Sequence, residues 1–164
     1  MRFYAGAALV VFLALVQTSA LPLVPLFGVT PNLVLLTLVA WTLARGLEDA
    51  LPLYLVGGVT LGLFEGELTG LPVIGMGVVA LLALAYEARI VHWDLLVGLA
   101  VAALGGAAYD VIHLAAYALT GERVLWLDAA LRVLLPAAVI HAALFPLFFW
   151  TARGLIPSRP VGAI

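Results

Sequence analysis

The side chains able to do chemistry in this chain are few, and all lie within apolar sequence. Asp110 and His113 stand three residues apart, which places a carboxylate and an imidazole on one face of a helix. That is the smallest unit of a general acid–base pair or an intramembrane proton relay. They follow a stripe of small residues spaced by four, Gly98, Ala102 and Gly106, which Asp110 continues. A deeply placed carboxylate is costly in lipid unless it is paired. His113 is one partner, and Arg132 in the next apolar segment is another. Asp128 competes for Arg132, because it sits one i,i+4 step before it. His141 lies between Pro136 and Pro146, each of which frees a backbone carbonyl and kinks its helix. A buried neutral imidazole donating to such a carbonyl is the structural role for His141, and a relay or ligand site is the chemical one. Glu65 closes a glycine-rich run, either solvated at the membrane surface or turned inward against neighbouring helix ends.

Other chemistry is missing. The three histidines, His92, His113 and His141, are scattered, and no HExxH or acidic cluster gives a metal site. There is no Gly-Lys-Ser/Thr phosphate loop and no basic groove for nucleic acid. Ser19 and Ser158 are the only serines, neither with a base near in sequence. Without cysteine, disulfides and thiolate sites are excluded. Asp110 with His113 is too little to define an enzyme, so the chain is expected to be non-enzymatic, with no cofactor.

The elements that must position these residues are membrane helices. The chain has 164 residues, 66% of them hydrophobic and 10% charged, and its mean hydropathy is +1.24. Soluble domains carry about 25% charged residues. A span needs roughly 20 apolar residues, which gives about six spans, near 3–21, 31–45, 50–65, 71–90, 94–119 and 125–152. The second and third are short. No β-barrel alternation is present, so one all-α bundle over residues 1–164 is expected. All seven basic residues are arginines. Arg2, Arg45, Arg89, Arg153 and Arg159 fall on one side, and Arg123 and Arg132 on the other, which puts both termini in the cytoplasm. Residues 122–132 could also form an interfacial helix before the last span. Trp41, Trp93, Trp126 and Trp150 fall near span ends, as aromatic belts do. Arg2, the run Ala5–Val16 and Thr18-Ser19-Ala20 also look like a signal peptide. The even span count favours its retention.

Span 3 holds the sharpest local pattern, Gly58, Gly62, Gly66 and Gly70, each four apart. Small residues at this spacing let another helix approach closely. The face serves internal packing or a partner's span. Gly66 and Gly70 could instead be helix-end and loop residues.

Three segments carry a resemblance to a known family. TPNLVLLTLVAWTLARG, GGVTLGLFEGELTGLPVIGMGVVALLALAYEAR and LLPAAVIHAALFPLFFWTARGL resemble the rod shape-determining protein MreD of bacteria. In that pattern Glu65 stands where Asp is expected, Asn32 where Asp is common, and His141 where Asn is expected. The resemblance implies a scaffold subunit of the cell-elongation machinery in the inner membrane. Its implied partners are the single span of MreC, the RodA glycosyltransferase with its penicillin-binding transpeptidase, and, indirectly, the MreB filament. It also implies a fold similar to the S components of energy-coupling-factor vitamin transporters. Such a component is the alternative function, though span 1 lacks the Ala-xxx-Ala motif by which those proteins dock.

Overall fold

The computed structural model describes residues 2–23, 28–66, 70–87 and 94–155. Among these residues seven α-helices follow in order: α1 (Arg2–Ser19), α2 (Leu33–Arg45), α3 (Leu47–Glu65), α4 (Gly70–Glu87), α5 (Asp94–Leu119), α6 (Trp126–Ala129) and α7 (Leu135–Leu155). A 3-10 turn, Leu21–Leu23, follows α1, and a π-helical segment, Ala130–Leu134, joins α6 to α7. Among the described residues there is no strand. Four segments are long and apolar enough to cross a membrane: Phe3–Leu23, Leu47–Glu65, Leu95–Leu119 and Trp126–Gly154. Leu33–Arg45 and Gly70–Leu84 are apolar but shorter.

The expected boundaries shift at two places. Span 3 starts at Leu47 and not at 50, so it is a full 19-residue helix. Glu48 and Asp49 occupy its first turn, where acids meet the positive end of the helix dipole. Gly46, at φ 91°, makes the reversal from α2 to α3, and its N–H closes α2 on the Thr42 carbonyl at 2.7 Å. Arg45 and Asp49 bridge that turn at 3.1 Å. The last span is composite. Pro136 has no N–H for the Arg132 carbonyl, and its ring would crowd that carbonyl. The chain widens into a π turn just before it, with the Leu135 N–H on the Ala130 carbonyl. Arg89, Arg159, Glu67, His92, Trp93 and the end of span 4 lie outside the described residues.

The fold is organised around α2. It packs against α1, α3, α4, α5 and α7, whereas α1 and α7 do not touch one another. Val34, Leu35, Leu36, Leu38, Val39 and Ala40 are all fully buried. A helix apolar on every side belongs at the centre. The wall around it runs by α1 on α3, α3 on α4, α4 on α5 and α5 on α7, and stays open between α7 and α1. Tyr54 on α3 joins α2 through its hydroxyl, 3.2 Å from Thr42 Oγ1. Thr42 already donates to the Leu38 carbonyl at 2.9 Å, so Tyr54 is the donor.

The glycine stripes make these contacts. A Cβ on Gly58 would lie 2.7 Å from the Val73 Cα, so α3 and α4 meet backbone to backbone. Gly98 receives the Phe145 ring and Gly106 the His141 ring, both from α7, and Ala102 between them is fully buried. Gly62 is buried on α3. Gly57, which the four-residue spacing passes over, faces Val34, Leu38 and Val10. The ladder of span 3 does not continue beyond Gly62. Gly66 ends α3 in the left-handed conformation, at φ 68°, and Gly70 opens α4; both are exposed with open space around them.

Gly58→Leu is expected to destabilise the bundle by about 1–3 kcal/mol, the cost of forcing side-chain volume into a packed contact. Gly77, on α4 with nothing near it, is the internal control, and Gly77→Leu should not lower stability. Unfolding midpoints in detergent decide it. Equal midpoints for the two variants would remove the close α3–α4 approach.

Candidate functional site

The polar residues gather at the buried start of α2. At 1.5 Å per residue its 13 residues span only ~20 Å, against a hydrocarbon layer of about 30 Å. The first N–H groups of a helix have no partner inside it, and lipid offers none. Here side chains from three parts of the chain supply them. Asn32 is the N-cap: its Oδ1 accepts from the Leu35 N–H at 2.9 Å. Gln17, near the end of α1, accepts from the Val34 N–H at 3.3 Å through Oε1. His141 of α7 accepts from the Asn32 N–H at 2.9 Å through Nε2. All three side chains are buried.

Nε2 accepts, so the neutral His141 ring carries its proton on Nδ1. This corrects the expectation that His141 donates to a carbonyl freed by proline. Nδ1 interacts with the Ala137 carbonyl one turn back but forms no well-aligned hydrogen bond. Gly106 lets the ring lie flat on α5: a Cβ there would overlap Nδ1, Cε1 and Cγ. Gly106, His141 and Asn32 therefore form one chain of contact across α5, α7 and α2.

Asp110 and His113 do not form a pair. His113 Nδ1 meets the Tyr109 carbonyl at 2.8 Å, and its ring stacks on Tyr109 with centroids 4.3 Å apart. Asp110 is half-buried, and its Oδ2 is enclosed without a hydrogen-bond partner among the described residues. Nor does Arg132 reach Asp110. It binds Asp128 at 2.6 Å, and its side chain is 78% exposed. The local i,i+4 geometry wins because the π segment and α6 bury no side chain in the bundle. Glu65 ends α3 exposed, as the solvated reading expects. Trp41 departs from the belt pattern. It is half-buried, and its indole nitrogen is enclosed with no partner among the described residues.

Trp41 belongs to a groove of about 390 Å³ between α1 and α7, floored by α2 residues Thr37 and Ala40 and walled by Leu9, Leu13 and Phe148. The Thr37 hydroxyl donates to the Leu33 carbonyl at 2.8 Å, and that of Thr151 to Leu147. Both threonines thus turn their hydroxyls to their own helices, which leaves the groove mainly apolar. Among the described residues no group of three His, Cys, Asp or Glu side chains could hold a metal ion. Gln17 was not legible as a cap, because its acceptor role depends on α1 meeting the start of α2. The one local signal was Asn32, directly before an apolar run and after a proline.

No family model, curated protein or solved structure matches the chain.

His141→Leu should destabilise the bundle by about 1–3 kcal/mol, since it leaves the Asn32 N–H buried and unpaired. His141→Gln, which keeps an acceptor, should recover part of the loss. Full stability of the Leu variant would remove His141 from the cap. A second expectation concerns the surface pair: Arg132→Ala should change stability by no more than roughly 1 kcal/mol. A larger loss in the same unfolding assay would restore Arg132 as a buried partner of Asp110.

Proposed function

We propose that this chain is a non-catalytic scaffold subunit of the bacterial cell-elongation machinery, similar to MreD. In this reading six helices cross the inner membrane, with α2 and α4 as short spans and both termini in the cytoplasm. The same reading implies a fold of the kind found in the S components of energy-coupling-factor transporters. The bundle holds the single span of MreC and supports RodA and its transpeptidase beside it, with MreB engaged indirectly.

The observation that carries the reading is what the polar residues do. Asn32, Gln17 and His141 are spent on closing a helix end, and His113 is turned to its own backbone. Asn32 and His141 are also two of the positions at which the chain departs from the MreD pattern. The contact between them runs from the backbone N–H of Asn32 to the His141 ring, so it rests on the side chain at 141 and not on that at 32. Gly58, Gly98 and Gly106 are occupied by α4 and α7. Their role is internal packing, so a partner span docks elsewhere on the apolar surface.

The test is purification of the tagged chain from its native membrane in mild detergent, with the co-purifying proteins identified by mass spectrometry. Recovery of MreC and the cell-wall synthase is the expected result. Recovery of paired ATPases with a membrane coupling subunit would overturn it and make the chain a transporter component.

A further inference from the structure

Three enclosed polar atoms on α5, α7 and the residue before α2 have no well-formed hydrogen bond among the described residues: Asp110 Oδ2, His141 Nδ1 and Asn32 Nδ2. Asn32 is 6% exposed and His141 1%. The Asn32 amide lies over the first turn of α2, since its Oδ1 binds the Leu35 N–H. Its Nδ2, on the same carbon, is therefore at the helix end as well. The third atom is placed by register. α5 and α7 run antiparallel with Gly106 against His141. One turn along α5 is Asp110, and one turn back along α7 is Ala137. Val29 packs on Ala137 and Ile140, which carries the chain leading into Asn32 past the same level.

The chemistry of these atoms selects an occupant. Asn32 Nδ2 is a donor, and Nδ1 of His141 is a donor because Nε2 accepts. The Asp110 carboxyl offers an acceptor oxygen in either protonation state and, when ionised, repels an anion. An anion would suit the donors and the helix end but would meet Asp110. A cation would suit Asp110 but would meet two donors and the positive end of α2. A neutral molecule that both accepts and donates satisfies all of them. Buried water typically makes about three hydrogen bonds to such otherwise unpaired groups.

We infer that the bundle binds internal water at the start of α2, bridging Asp110 of α5 to Asn32 and His141. Asp110, the least buried of the three, is the entry side. The site is a property of the bundle and does not depend on which complex the protein serves.

Radiolytic hydroxyl labelling of the full chain in lipid nanodiscs, in ¹⁸O water with mass-spectrometric readout, tests this directly. Bound water converts to hydroxyl radical in place and marks the side chains beside it. Leu35 should then be labelled several-fold faster than Leu38 and Leu53, which are as deeply buried but lie further from the start of α2, Leu53 beside the Tyr54–Thr42 contact near its other end. Ile140 should be labelled with Leu35. Equal, slow labelling of all three leucines overturns the proposal. Asp110→Asn, which keeps hydrogen bonding, should retain the excess at Leu35, and Asp110→Leu should abolish it. An undiminished excess in Asp110→Leu would overturn the bridge to Asp110.

Discussion

The constraint on which this fold rests is the start of α2. A 13-residue helix at the centre of a membrane bundle ends short of the lipid headgroups on at least one side. The N–H groups at that end must be met by protein, because hydrocarbon meets none of them. Three side chains, Gln17, Asn32 and His141, do so. Each fixes a relation between elements that apolar packing alone would leave loose. Gln17 sets the depth of α1 against α2. His141 sets the register of α7 against α2. Through Gly106, that same ring sets α5 against α7. Apolar side chains slide past one another at little cost in lipid, and three directional bonds at one helix end do not.

This arrangement explains why the glycines sit where they do. Membrane helices gain nothing from excluding lipid in favour of equally apolar neighbours, so close approach and shape carry the packing. Gly58 brings two backbones together, whereas Gly98 and Gly106 each accept a ring from α7. The second device is the more specific one. An aromatic or imidazole ring laid on a glycine fixes rotation as well as distance, because the ring fits only where the Cβ is missing: Gly106 takes the His141 ring of α7, and Gly105 beside it faces Val79 of α4.

Much of this was legible in the sequence. The all-helical class and the approximate extent of the long helices follow from apolar length, and α5 was placed at 94–119, where it stands. The α5 stripe was visible as a four-residue period, and the Asp128–Arg132 pair as an i,i+4 step. These are all local signals. What could not be read is long-range. His141 meets a backbone N–H 109 residues away, and no local pattern points from one to the other. The same holds for Gly57, whose contacts on α1 and α2 leave no repeat in the sequence. The span-3 ladder misled for the converse reason: its period runs on through Gly70, but the helix carrying it stops at Glu65. Asp110 and His113 looked like a reactive pair on spacing alone, but the Tyr109 carbonyl and ring engage the imidazole instead.

The His141–Asn32 bond also sets a timetable for synthesis. A ribosome adds roughly 5–20 residues per second, so His141 emerges on the order of 5–20 s after Asn32, given their separation of 109 residues. Gln17 and the Asn32 side chain are present from the start, but for that interval α2 waits in the insertion machinery or the bilayer with one N–H uncapped. It also lacks the helix that closes its last flank. The central element of the bundle is thus among the first to be made and the last to be completed. A chain stopped before α7 would hold an unfinished helix end in lipid, exposed to recognition by the factors that remove unassembled membrane proteins.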